Sequence, residues 1–363
     1  MTNSIIKNKK HKFPFLFEKY TTDSEDYPKD LMNKIQSSEL MVLNVPVEFG
    51  GVLENPNAQN SYILNILKCL GARDLSAARI FEGHLNAMLL INRFGTQHQK
   101  EIYFSEAKNG ILFGIWNSQL PSEPLELETS KNKLQLKGSK VFCSGANNVV
   151  RPIITANHNG KQQMLILNMA DNLLEEDYTY WQPLGMKSSV SCRFDFTGLN
   201  IESSQFLGLP NAYFEQPDFS GGAVRFAAVQ LGGAEVLITT TLEHLQMMNR
   251  TEDINQISRM GKLAILKKSG RLWLDEAGRA FDKRYSNPTE CLQIANMFRT
   301  ITRQICEEVM AICELSVGLQ GLLKPHPMER IHRDLSVYLK QPGPDNALLE
   351  IGKTLLNTHS NEG

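Results

Sequence analysis

Cysteine is scarce in this chain of 363 residues and follows no pattern. Six thiols stand at positions 69, 143, 192, 291, 306 and 313, with no Cys-x-x-Cys pair and no histidine cluster beside them. That excludes a zinc ribbon and a dense disulfide framework, and leaves reduced, buried thiols. An excess of one charge is missing too. Lys and Arg total 38 against 39 Asp and Glu, a formal net charge of -1, so no basic field exists to hold nucleic acid or an anionic membrane surface. Apolar runs such as 87–91 fall far short of the ~20 residues a membrane-spanning helix needs, and neither an internal repeat nor a low-complexity tract is present. Lys7, Lys9, Lys10 and Lys12 are followed by no apolar run or small-residue cleavage site. The reading is a solvated tail over 1–25 and a cytoplasmic protein.

What the sequence does hold is 42% apolar residues, enough for a sizeable core in two or three domains. Over 26–108 the apolar spacing is helical: Ile63, Ile66, Leu67 and Leu70, then Ala78, Phe81, Leu85, Met88 and Leu89. Near Gly110 short β-type runs take over, among them Ile111 to Trp116, Val141 to Cys143, Ile153 to Ala156 and Met164 to Leu167, with turn residues between them. Cys192, Phe194 and Phe196 alternate with Arg193 and Asp195, the pattern of a strand with one face on a core. A middle β domain over 109–204 follows from these runs. From 205 to 363 the helical period returns. Asn287-Pro288-Thr289-Glu290 reads as a capped helix start, and Ile294, Met297, Phe298, Ile301, Ile305, Val309 and Ile312 form the stripe behind it. Together with helices near 223–248 and 255–282, this makes an antiparallel bundle.

Helical domain, small β domain and helical bundle is an uncommon order, and five segments carry a family resemblance through it. These are Phe94 to Phe104, Leu136 to Gly145, Leu184 to Ser189 with the strand to Ile201, Arg225 to Leu245, and Glu329 to Leu335. In this order they resemble the acyl-CoA dehydrogenase family, over about 60 to 355. The resemblance implies a mostly α fold with a central β domain: an N-terminal helical domain, a small β-barrel domain and a C-terminal four-helix bundle. It also implies FAD as cofactor, an acyl-CoA or other acyl thioester as substrate, an electron-transfer flavoprotein or other redox acceptor, a place in lipid metabolism, and a homodimer or homotetramer.

The implied reaction is α,β-oxidation, in which a carboxylate removes the α proton and the flavin accepts hydride from the β carbon. By position in the family's motifs, Phe142 is the aromatic that shelters the flavin ring and Ser144 the hydroxyl that bonds to it. Phe113, Ile115 and Trp116 fall on the strand that meets the flavin, and Arg225 and Gln341 fall at the substrate. The sequence also departs from the family. Trp116 stands where a flavin-contacting threonine is usual, and a bulky indole there either narrows the cleft or joins the core. The glycine-bearing acyl-CoA loop and the pyrophosphate loop have no good counterparts. Pro342 occupies the place of the catalytic glutamate, and Val224 the alternative place before Arg225. Asp345 is the nearest carboxylate and is taken as the base, with Glu235 a poorer candidate. Three readings are open: an FAD-dependent acyl-thioester dehydrogenase, a flavin-dependent oxygenase or oxidase on the same fold, and a non-catalytic binding subunit that kept the fold.

Overall fold

The structure is a computed structural model that describes residues 12–20, 25–130, 133–172, 174–340 and 343–361. Its helical opening comprises α1 (Lys29–Gln36), α2 (Asn60–Arg73), α3 (Leu75–Phe94) and α4 (Gln97–Lys108). α3 begins where the Asp74 carboxylate accepts from the Ala77 amide at 2.8 Å, an N-cap that satisfies an otherwise orphaned donor. α4 begins with a reciprocal capping box between Thr96 and Gln99. Between them α3 is buried along almost its whole length. The solvated tail expected over 1–25 is corrected in part: Phe13, Leu16 and Tyr20 are buried in the main core. These apolar side chains fold onto α2, an outcome the run of lysines upstream obscured. Residues 1–11 and 21–24 lie outside the described residues.

The β domain holds β1 (Phe113–Trp116), β2 (Glu126–Ser130), β3 (Lys133–Lys137), β4 (Ser139–Cys143), β5 (Arg151–His158), β6 (Lys161–Ile166), β7 (Cys192–Asp195), β8 (Asn200–Ile201) and β9 (Phe206–Leu207). One seven-stranded sheet runs in the order β8-β3-β2-β5-β6-β9, with β1 parallel beside β5, and β4 pairs with β7 in a second sheet. Because β9 pairs with β6 through Met164 and Leu207, the sheet extends past 204.

Three long helices follow: α5 (Asp218–Met247), α6 (Ile254–Asp282) and α7 (Pro288–Val317), with α8 (Pro327–Tyr338) and α9 (Pro344–Asn361) packed after them. Asn287 caps α7 and Pro288 opens it, as the sequence indicates. α5 meets α2 at two glycines. A Cβ on Gly232 would lie 2.1 Å from the Lys68 carbonyl oxygen, and one on Gly71 would lie 2.3 Å from that of Val229, so only glycine allows this approach. α5 is the one described helix long and apolar enough to cross a membrane. Its most apolar stretch, of mean hydropathy 1.2, is 72% buried by the rest of the chain. All six cysteines are free thiols.

One buried network ties the three domains together. Arg330 on α8 donates to Ser188 Oγ at 2.6 Å in the β domain and reaches the α3 cap Asp74 at 3.4 Å. It also pairs with Asp334 one turn on, at 3.3 Å. Asp334 in turn accepts from the Met186 amide at 2.6 Å and from the Tyr20 hydroxyl at 3.1 Å. Gly185 permits the close approach, since a Cβ there would meet the Arg333 carbonyl oxygen at 2.1 Å. Burial pushes both carboxyls above their ordinary range despite the guanidinium between them. Burial alone would lower the Arg330 pKa, but Asp74, Tyr20 and Asp334 together hold it raised.

Two measurements follow from this packing. Arg330→Met strands two buried carboxylates and should lower the free energy of urea unfolding by about 3–5 kcal/mol. The loss should be greater at alkaline than at acid pH, where protons can replace the missing cation. His84 is fully buried, with Nε2 2.8 Å from the Met41 carbonyl oxygen and Nδ1 accepting from the Phe113 amide at 3.2 Å, so it is held neutral. Burial lowers its pKa from 6.5 to about 4. The unfolded chain therefore takes up a proton that the native state refuses, and stability should fall by on the order of 3 kcal/mol as pH drops from 6.5 to 4. Urea melts across that window should show the fall in the wild type and a reduced slope in His84→Gln.

Candidate functional site

The local fold at the end of β4 turns an aromatic side chain out of the β domain. β4 and β7 pair Lys140 with Phe194 and then Cys143 with Cys192, so one strand carries an extra residue between the two pairs. This is a β-bulge, a device that re-aims a side chain. Phe142 lies in it at φ 56 and stands 49% exposed on the wall of a cleft of about 1320 Å³. The Trp181 ring meets it edge-on at 6.0 Å. Beside it runs a chain of hydroxyls, with Ser144 Oγ 2.9 Å from Ser191 Oγ and Ser191 Oγ 2.8 Å from Ser189 Oγ. All three serines line the cleft.

Behind the hairpin the β domain is braced by buried polar contacts. Trp116 donates from Nε1 to the Ser144 carbonyl oxygen at 3.1 Å and stacks on Phe194 at 5.2 Å. Lys140, fully buried, donates to the Asn117 carbonyl oxygen at 3.1 Å and to Gln119 Oε1 at 2.7 Å. Burial lowers its pKa to about 8. Asn117 lines the cleft, and its side chain accepts from the Thr155 hydroxyl.

The facing wall comes from helices. α3 presents Arg79, Glu82 and Asn86, spaced three and four residues apart on one face. Glu82 pairs with Arg79 at 2.9 Å and accepts from Asn86, whose own oxygen accepts from Arg225 Nε on α5. Burial works against the Arg79 charge, but Glu82 and its neighbours hold its pKa raised. Tyr213, pushed up to about 12 by burial with Glu82 adding to it, borders the same cluster. α5 adds Gly222, Ala223 and Phe226, α7 adds Asn296 and Arg299, and α9 adds Asn346, Glu350 and Thr354. Among the described residues no group of three or more His, Cys, Asp or Glu side chains could hold a metal ion.

Residues 13–110 match the family model described as acyl-CoA dehydrogenase, N-terminal domain. The whole architecture matches butyryl-CoA dehydrogenase from Megasphaera elsdenii with a TM-score of 0.84 at 17% identity, covering 98% of this chain and 99% of that one. The chain has the acyl-CoA dehydrogenase fold. Within that fold it is also similar to oxygenases. A dibenzothiophene monooxygenase from a Paenibacillus species, solved with FMN and indole, superposes with a TM-score of 0.82 at 16% identity, covering 98% of this chain and 96% of that one. The dibenzothiophene monooxygenase of Rhodococcus erythropolis is 28% identical over 190 residues, 49% of this chain. That match spans 45% of the length of the curated relative.

Set on the acyl-CoA dehydrogenase fold, the residues read from the motifs divide. Phe142, Ser144 and Ile115 come together on the cleft. Arg225 opens into a smaller chamber beside it, bordered by Ile115 as well. Phe113 is fully buried against His84 and Tyr103, because α3 and α4 cover that face of β1. Trp116 points the other way along the strand, into the β-domain core, so its indole neither narrows nor blocks the cleft. Asp345 is exposed in the first turn of α9 and does not line the cleft. Glu235 is committed to Lys68 at 2.8 Å across α5 and α2, and Val224 is buried among apolar residues. Gln341 lies outside the described residues, as does Pro342. Motif reading missed the Arg79–Glu82–Asn86 face. Its signal was in the sequence all the same: three polar residues at helical spacing within a helix otherwise apolar enough to be buried.

Proposed function

We propose that this chain is a flavin-dependent monooxygenase on the acyl-CoA dehydrogenase fold, with FMN rather than the FAD its motifs imply. The observation that carries the reading is the make-up of the cleft wall around Phe142: hydroxyls and an amide, with no carboxylate among the described residues placed to act as a free base. α,β-Oxidation of an acyl thioester requires such a base. The family's two positions for it hold Pro342 and Val224, Glu82 is tied to Arg79 and Asn86, and Glu350 is exposed and paired with Lys353 at 2.7 Å.

The residues present fit a flat heterocycle. A bulged aromatic face with a hydroxyl two residues on suits the ring of a flavin, and the cleft is large enough for it and a substrate. Reduced FMN would supply the two electrons and two protons that let dioxygen deliver one oxygen atom to the substrate and release the other as water, with reducing equivalents arriving from an external donor. Phe142 and Trp181 would shelter the ring, and Ser144, oriented by Ser191 and Ser189, would donate to its polar edge. Arg299, its guanidinium 5.6 Å from the Phe226 ring, and Lys340 are the cations on the far wall for a phosphate. The lack of a counterpart to the family's pyrophosphate loop supports the mononucleotide.

The purified protein should take up one FMN per chain, and that FMN should stay oxidised when mixed anaerobically with butyryl-CoA or isobutyryl-CoA. With chemically reduced FMN and dioxygen, indole or dibenzothiophene should gain one oxygen atom, read by mass spectrometry. Anaerobic bleaching by an acyl-CoA would restore the dehydrogenase reading, and a protein that takes up no flavin would favour the non-catalytic one. Ser144→Val should weaken FMN binding by about tenfold, the loss of one hydrogen bond, as measured by fluorescence titration.

A further inference from the structure

Behind the main cleft lies a chamber of about 240 Å³, entered past Asn86, Ile115, Tyr213 and Phe219, which border both spaces. Its charges are unevenly matched. Asp218, the carboxylate on its wall, is saturated: Arg284 Nε donates to it at 3.1 Å, the Tyr285 hydroxyl at 3.0 Å, and Arg93 stands 3.7 Å away. Arg284 is saturated in turn, its other nitrogens bonded to Asn57 and to the Phe281 carbonyl oxygen. Arg225 is not. Its side chain is only 8% exposed and donates from Nε to Asn86. Among the described residues no carboxylate pairs with it, and its two terminal nitrogens make no hydrogen bond. Glu82, close enough to favour its charge, is engaged by Arg79 and Asn86.

The fold makes room for this arrangement. Gly221, one turn before Arg225 on α5, lies where a Cβ would meet Arg225 Nη1 at 3.0 Å and Nη2 at 3.2 Å. The guanidinium therefore lies back along its own helix, over a residue with no side chain. Burial, with Arg284 adding to it, lowers the Arg225 pKa to about 10 against the pull of Glu82 and Asp218, a cost that a bound anion would offset.

We propose that this chamber anchors the substrate and that it takes a small organic oxyanion, a carboxylate or a sulfur oxyacid, on the open fork of Arg225. Two oxygens of such a group match two guanidinium nitrogens. The apolar part of the ligand would lie against Leu89, Leu90 and Phe281, and its reacting end would extend past Ile115 into the cleft. As the substrate's subsite the chamber rests on the monooxygenase reading, whereas capture of the anion does not require flavin.

The test is calorimetric titration of the full-length protein, with and without FMN. Two anions are each set against a neutral isostere: phenylacetate against phenylacetamide, and benzenesulfinate against methyl phenyl sulfone. At least one anion should bind about tenfold or more tightly than its isostere, and the pair that shows the preference identifies the acid class. Arg225→Met should erase the preference. Leu89→Trp, which adds bulk to the chamber wall and leaves Arg225 in the sequence, should remove binding of the preferred anion and covers the case in which Arg225→Met fails to fold. No preference in the wild type, or one that survives either folded variant, would overturn the proposal. FMN uptake without anion preference would overturn this inference alone, while anion preference without FMN uptake would overturn the cofactor reading and leave the subsite as an anion-binding site.

Discussion

Three domains of this chain meet at one buried guanidinium. Arg330 holds the cap of α3, the turn at Ser188 and its own helix neighbour Asp334 at the same time, and each of those contacts belongs to a different domain. The cleft is the space between the same three domains, so its width depends on this junction. The turn tied down by Asp334 runs from Met186 directly into Ser189 and Ser191, which orient Ser144. A network far from any reacting atom therefore sets the position of the hydroxyls that would face a flavin.

In the proposed reading a flat ring lies between the β hairpin and the helical bundle, where the cleft runs. The bulge at Phe142 needs only backbone geometry and one extra residue. Neither motif position for the base holds a carboxylate. Val224 is packed into the core, and the other family position is proline by sequence. In its place α3 contributes a closed cluster of Arg79, Glu82 and Asn86 that passes its polarity on to Arg225. On the monooxygenase reading, a cleft with an oriented hydroxyl, a buried cation beside it and no free carboxylate among the described residues would hold an electron-rich or anionic substrate near a flavin.

Much of the architecture was legible in the sequence, because helix periodicity, Asn287 with Pro288, and the β-type runs act locally. Phe142 and Ser144 were legible for a related reason: their motif encodes a backbone event, the bulge. Trp116 was not, since strand alternation places it on one side or the other but does not say which side is core. Asp345 is near the motif position only along the chain, and a helix start turns it to solvent. The burial of Phe13, Leu16 and Tyr20 is not legible, because three apolar residues beside several lysines carry little periodic signal. Arg225 was visible as a family position, but its lack of a counter-ion is a property of packing among α3, α5 and α6 that no linear pattern records.

The most direct measurement is a crystal structure of the protein soaked with FMN. The account predicts the flavin ring lying against the Phe142 ring, with a polar edge within hydrogen-bond distance of Ser144 Oγ. Flavin density elsewhere in the cleft, with Phe142 and Ser144 facing solvent, would contradict it.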